Sequence, residues 1–293
     1  MKPQPASRKP SPPLSDPFDR PPRVRWLLLL LCLPLLAGLL FVAWRQGPTA
    51  NEEAYWRIRG AIPTFNASGQ LTELRFSRDA DPLLALVAAS QQPYLRRIDL
   101  SHTAVRDEDL QTLTGVVALE ALDLSFTTVT DAGLEELGSH PQLRSLKLKG
   151  AAITDAGLRA LRTFHNLREL SLSETAIHGP GLADVLDLQL LEKLYLSQTE
   201  IGDESLSLVA AFPRLKWLGL RATRVTTAGL EELRTLQELE LIHLGETQID
   251  DGVAPILAGW EKLEGVSLEE TALTPSALES LQKAAPQLII FKP

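Results

Sequence analysis

The side chains that could do chemistry are few and regularly spaced. Acids recur in polar pairs, Thr130-Asp131, Thr154-Asp155 and Asp250-Asp251, and two more, Asp99 and Asp123, stand 24 residues apart. Two carboxylates held side by side would raise one pKa and could divide acid and base roles between them. Such a dyad needs an acyl, phosphoryl or glycosyl site beside it. None is written nearby, and Arg97 is the simpler partner. Five histidines (His102, His140, His165, His178, His243) lack metal-ligand spacing, and the one cysteine, Cys32, can form no intrachain disulfide. No Ser/His/Asp grouping, phosphate-cradling glycine loop or Cys/His cluster occurs. The chain reads as a non-enzyme without a cofactor, and the recurring acids call for a structural reason.

Repetition supplies it. The stretch LEALDLSFTTVTDAGLEEL, Leu119 to Leu137, returns 24 residues later as LRSLKLKGAAITDAGLRAL. Its leading leucine recurs as Leu71, Leu95, Leu119, Leu143, Leu167, Leu191, Leu215, Leu239 and Leu263, and an incomplete tenth copy opens one residue late at Leu288. The first half of the unit alternates, which predicts a short strand, and the second half switches to helical spacing. One such unit cannot bury its apolar face alone; stacked neighbours bury it as a continuous core. After each strand an aliphatic residue (Val105, Val129, Ile153 and their equivalents) turns back into that core. One member of the following polar pair caps the helix, and the acid suits the helix dipole. Thr274-Pro275 points to the first member as the cap, since Pro fits the first helical position. The segment His178-Gly-Pro-Gly181 breaks the pattern and predicts a shorter or displaced helix.

The unit, L-x-x-L-x-L-x-x-T-x-I-T-D-x-G-L-x-x-L, resembles a leucine-rich repeat, with Thr (Thr103, Thr127, Thr175, Thr199, Thr223, Thr247, Thr271) where the family usually has an Asn or Cys ladder residue. The resemblance implies an α/β solenoid with a curved parallel sheet on the concave face and helices on the convex face. It also brings to mind bacterial membrane-anchored repeat proteins, in which a short helix and hairpin lead into the solenoid. It is nearly silent on function, because this fold presents surfaces to many unrelated partners.

Four segments follow in order. Residues 1–25 are a Pro-rich tail expected to be disordered and cytoplasmic. Residues 26–44 are an uncharged run, LLLLLCLPLLAGLLFVA, bracketed by Trp26 and Trp44, which reads as a transmembrane helix. Lys2, Arg8, Lys9, Arg20, Arg23 and Arg25 precede it, so the positive-inside rule puts the repeats outside the cytoplasm of a cell membrane. A cleaved signal peptide competes with this reading, although neither Phe41-Val42-Ala43 nor Pro48-Thr49-Ala50 is a good cleavage site. Residues 45–60 are a juxtamembrane linker with a short helix. Residues 61–293 are the repeat domain, opening with a hairpin around Asn66–Gln70 that pairs residues 61–65 with the first repeat strand. The last strand, Leu288 to Phe291, leaves an apolar edge that could pair with a second copy.

Charge narrows the partners. The 293 residues carry −8 in all; residues 1–45 hold seven Lys/Arg and two Asp/Glu, leaving 22 and 35 for the rest, a net −13. An acidic solenoid repels phosphate backbones, which argues against nucleic acid. On the concave face Tyr195, Trp217, Leu241 and His243 come from three successive strands, with Arg221 at their border and Phe126 a second, isolated candidate. Interface hot spots favour Trp, Tyr and Arg, so the first expectation is a protein ligand held there. A second is a cell-envelope structural protein binding wall glycan, since aromatics beside serines and acids suit sugar. A third, a cytosolic adaptor like the substrate receptors of ubiquitin ligases, lacks an adaptor-binding helical module and conflicts with the apolar run.

Overall fold

The computed structural model describes residues 50–78, 80 and 82–291. The expected transmembrane helix at 26–44, the tail before it, and Asp79 and Asp81 of the first repeat lie outside the described residues. Among the described residues, no helix is long and apolar enough to cross a membrane.

Eleven strands form one sheet in sequence order: β1 (Ala61–Phe65), β2 (Leu71–Phe76), β3 (Arg97–Asp99), β4 (Ala121–Asp123), β5 (Ser145–Lys147), β6 (Glu169–Ser171), β7 (Lys193–Tyr195), β8 (Trp217–Gly219), β9 (Leu241–His243), β10 (Gly265–Ser267) and β11 (Ile289–Phe291). From β2 onward neighbours are parallel, and β1 is antiparallel to β2. The hairpin turn is fixed by Asn66, whose Oδ1 accepts from the backbone N–H groups of Ser68 and Gln70 at 3.0 and 2.9 Å. A helix, Ala50–Ile58, precedes it and buries Trp56.

The register carries the 24-residue period directly: Trp217 pairs with Leu241, and Leu241 with Gly265. Inward leucines of each strand, such as Leu122 and Leu124, are fully buried with Val129, Leu134 and Leu137 of the same repeat. Fully buried Phe164 and Phe212 fill the return loops. From the repeat of Leu95 to that of Leu263, the eighth position is left-handed, with φ of 53–59° at His102, Phe126, Glu174, Gln198, Ala222, Glu246 and Glu270, and 66° at Gly150. This turn aims its N–H at the next repeat: His102 N donates to Ser125 O at 2.9 Å and Glu174 N to Ser197 O at 2.9 Å.

The threonines do not bridge repeats as a ladder would. Each hydroxyl donates to the carbonyl three residues back, from Thr103 to Leu100 (2.6 Å) through Thr271 to Leu268 (2.8 Å), and so closes its own turn. The bridge between repeats is made by the aspartates. Thr130 and Thr154 cap their helices as expected, accepting from Ala132 and Ala156 N–H. The acid that follows reaches forward instead. Asp107 accepts from Thr130 N (2.8 Å) and Thr130 Oγ1 (2.6 Å), and Asp131 does the same with Thr154 (2.9 and 2.6 Å). Asp203 and Asp251 repeat this with Thr226 and Thr274. Where Thr227 replaces the acid the roles reverse: its Oγ1 accepts from Asp250 N at 2.9 Å and donates to Asp250 Oδ1 at 2.8 Å.

These carboxylates also explain the glycine of the repeat. A Cβ at Gly133, Gly157 or Gly229 would overlap Oδ1 of Asp107, Asp131 or Asp203 from the previous repeat. The irregular His178–Gly181 segment keeps the contact by other means. Asp155 there accepts from the N–H groups of His178, Gly179 and Gly181 at 3.0, 3.0 and 2.9 Å. Gly179 sits at φ 122°, and the following helix, Pro180–Val185, has six residues against nine for Asp155–Thr163.

His140 is the one misfit in the core. It occupies the return-loop position filled by Val116, Phe164, Leu188, Phe212, Leu236 and Trp260 in other repeats, is 2% exposed, and its Nε2 has no hydrogen-bond partner among the described residues. Burial holds its imidazole below the ordinary value, partly offset by the carbonyls of Leu137 and Val116. A depressed histidine leaves stability intact above its unfolded value near pH ~6.5. As pH falls below that, the unfolded chain takes a proton that the folded chain refuses, and stability drops until the folded pKa is passed. His140→Phe is expected to stabilise the domain by about 1–2 kcal/mol at neutral pH. It should also flatten this acid limb, as read by urea unfolding between pH 7.5 and 5.

Candidate interaction surface

The strands place Tyr195, Trp217, Leu241 and His243 on the sheet face opposite the helices, in two adjoining rows. In one row Lys193, Trp217, Leu241 and Gly265 are neighbours; in the other, Tyr195, Gly219, His243 and Ser267. Successive strands are ~4.8 Å apart, so the four candidates form one contiguous patch. All four are half-buried. Lys193 Nζ stands 4.5 Å over the Trp217 ring, a cation–π contact that occupies one face of the indole. His243 Nδ1 lies 3.3 Å from Ser267 Oγ. Tyr195 keeps its phenol protonated: burial first, then the Glu169 carboxylate, raise its pKa above the ordinary value. It can therefore donate to a ligand.

Two glycines beneath the patch, both buried, shape it. Gly219 leaves space beside Tyr195, whose Cδ1 would lie 3.4 Å from a Cβ there. Gly265 lies beneath two side chains at once: a Cβ would come within 2.5 Å of Leu241 Cδ2 and 2.9 Å of Phe291 Cε2. Phe291, 47% exposed, thus extends the apolar floor beyond Leu241. The late leucine of the tenth copy conceals this: counted from Leu288, Phe291 falls at an inward position, whereas β11 keeps the 24-residue register and pairs Phe291 with Ser267 on the outward face.

Arg221 borders the patch but its charge is engaged, by Glu246 and by Glu269 (Nε–Oε1 3.6 Å). Phe126 is not brought to it. That ring follows β4, three strands away, and stacks on His102 with centroids 4.6 Å apart and planes 13° apart. His102 and Lys193 carry no signal within one unit; they become visible only when the repeats are aligned in columns. Asp99 and Asp123 are indeed register neighbours, yet each is satisfied at its own strand end by serine and not by Arg97. Asp99 Oδ1 accepts from Ser101 N and Oγ at 3.0 and 2.6 Å, and Asp123 Oδ1 from Ser125 N at 2.9 Å. Lys147 and Lys149 face Glu169 (3.9 Å) and Glu174 (3.0 Å), acids of the next repeat, so each is ion-paired at the surface.

The two glycines predict unequal tolerance. Gly265→Ala should cost about 1–3 kcal/mol by forcing Leu241 and Phe291 off the sheet. Gly219→Ala, whose nearest neighbour would be Ser197 Oγ at 3.1 Å, should cost less than about 1 kcal/mol. Chemical denaturation of the two variants beside wild type checks this ordering.

Sequence-family comparison matches residues 119–138 and 139–161 to the Leucine Rich repeat. No curated protein sequence matches the chain. Among solved structures, an internalin C2 from Listeria monocytogenes is similar at 22% identity and TM-score 0.56, over 72% of this chain and 94% of that one. A leucine-rich repeat protein of Leptospira interrogans is similar at 18% identity and TM-score 0.52, over 70% of this chain and 62% of that one. An internalin, InlF, of L. monocytogenes gives 18% identity and TM-score 0.50, over 70% and 69%. At these identities the likeness is one of fold. With the 24-residue period and a sheet built in sequence order, it identifies this chain as a leucine-rich repeat protein.

Proposed function

We propose that this chain is a binding scaffold, anchored in a cell membrane by residues 26–44 with its N-terminus in the cytoplasm. Its repeats would hold a protein ligand outside, on the concave face. The anchor rests on the Trp-bracketed uncharged run and the six basic residues before it. One observation carries the ligand site. Tyr195, Trp217, Leu241 and His243 lie in two adjoining register rows of β7–β9, half-buried on the open face of a sheet whose other face is the core. Partly desolvated aromatics in a contiguous patch are the usual anchors of protein interfaces. Lys193 over one face of Trp217 favours protein over sugar, because a stacked sugar needs a free indole face.

Wall glycan is a second reading, on the ground that the half-buried Tyr195 ring stands beside the serine hydroxyl of Ser197 and the side-chain-free Gly219, a setting that suits a sugar.

Crosslinking in native membranes, followed by capture of the full chain, tests the first reading. Wild type is expected to carry a protein that a Tyr195→Ala/Trp217→Ala double variant loses by tenfold or more, with both folded by circular dichroism. Equal recovery from both would remove the site from this patch. Binding to protease-treated wall material, lost in the same variant, would support the glycan instead.

A further inference from the structure

A second cluster lies at the rim formed by the turns that follow the strands. Arg78 Nη2 is 3.4 Å from His102 Nδ1. His102 stacks on Phe126, and Lys149 Nζ lies 5.3 Å from the centroid of the Phe126 ring. Arginine can only donate, so Nδ1 is the acceptor and the neutral His102 carries its proton on Nε2. Both ends of this row are cationic, His102 offers a donor, and the edge of an aromatic ring is electropositive. The row therefore sets a cation at each end, with a histidine and an aromatic ring between them, on a domain that is acidic overall.

Phe126 is hard to explain by folding alone. It is 39% exposed and sits at φ 56°, a region disfavoured for bulky residues. Its counterparts in the later repeats are Glu174, Gln198, Ala222, Glu246 and Glu270, all polar or small. The next copy has Gly150 there, and a Cβ would lie 2.6 Å from Phe126 Cδ1, so the ring keeps its place because Gly150 is bare. The turn geometry is shared by the other repeats; exposure and a cleared neighbour together mark Phe126 as a residue held for contact. Lys149 also pairs with Glu174 at 3.0 Å, both partly exposed; such a surface pair exchanges partners at little cost.

We propose that the rim of Arg78, His102, Phe126 and Lys149 binds an extended acidic peptide segment of the pattern acid-x-apolar-x-acid. Arg78 and Lys149 belong to repeats three strand spacings apart, roughly 14 Å. An extended chain rises ~3.4 Å per residue and puts residues i, i+2 and i+4 on one side. Two acids four residues apart therefore reach the two cations, and the apolar residue between them meets the His102–Phe126 stack. This site is separate from the β7–β9 patch and does not depend on it.

The test is fluorescence anisotropy of a dye-labelled peptide built on Glu-Ser-Leu-Ser-Glu, titrated with the full chain in detergent. Saturable, salt-sensitive binding is expected, at least tenfold weaker in Phe126→Gln and in Lys149→Gln and unchanged in Trp217→Ala. Phe126→Gln places at this turn the residue type of Gln198, so its melting temperature should hold or rise while binding falls; a merely structural Phe126 would not separate the two. Absence of saturable binding, equal binding by Phe126→Gln, or equal affinity for a Lys-Ser-Leu-Ser-Lys peptide would overturn the proposal.

Discussion

The carboxylate that one repeat lends to the next is the contact on which this structure depends. Stacking of leucines gives most of the burial, but apolar contact is non-directional and would tolerate a slipped neighbour. The Asp131 carboxylate is not tolerant. It accepts from both the backbone N–H and the hydroxyl of Thr154, and the space it fills is kept open by Gly157. Thr154 in turn caps its own helix through Ala156 N–H. One side chain thus fixes register, satisfies a backbone donor and dictates a glycine a full repeat away. A charge-assisted hydrogen bond of this kind contributes about 1.5–3 kcal/mol, and the motif recurs from Asp107 to Asp251.

With register fixed there, the outward strand positions are free to vary, and they do. The row through Lys193, Trp217 and Leu241 shares no chemistry from strand to strand. Glycine has a second use on this surface. Beneath Phe126 it is Gly150, and beneath Leu241 and Phe291 it is Gly265. In each case a large side chain leans over a neighbour that has none. Apolar residues that would otherwise project into water lean on the sheet, Leu241 half-buried and Phe126 and Phe291 exposed, and so stay available to a ligand. The same stacking rule that builds the core therefore also shapes the surface.

Much of the fold was legible because its signal repeats within each unit. Leucine spacing placed the strands, and the Asn66–Gln70 loop marked the terminal hairpin. What was hidden lies between units. The aspartates read as partners of the helix dipole, since an acid beside a helix N-terminus has an adequate local reason, whereas their hydrogen bonds run 23 residues forward. The threonines resembled a ladder by position, yet bond only to their own turn. In the candidate patch, Tyr195, Trp217, Leu241 and His243 could be picked by reading strand columns. Phe291 could not, because the last copy starts late, and the stack of His102 on Phe126 could not, because left-handed turn geometry is not encoded by residue type there. Arg221 read as a hot-spot candidate; the structure engages it with Glu246 and Glu269.

A double-mutant cycle on Asp131 and Gly157 tests the interlock most directly. Asp131→Ala should cost about 1–3 kcal/mol through lost hydrogen bonds, and Gly157→Ala a similar amount through overlap with the carboxylate. Once Asp131 is alanine the overlap is gone, so the second change should cost little. The account predicts that the double variant is more stable than the sum of the singles by about 1–3 kcal/mol. Additivity within ~0.5 kcal/mol would mean that the two residues do not meet. The recurring acid and glycine would then need another explanation.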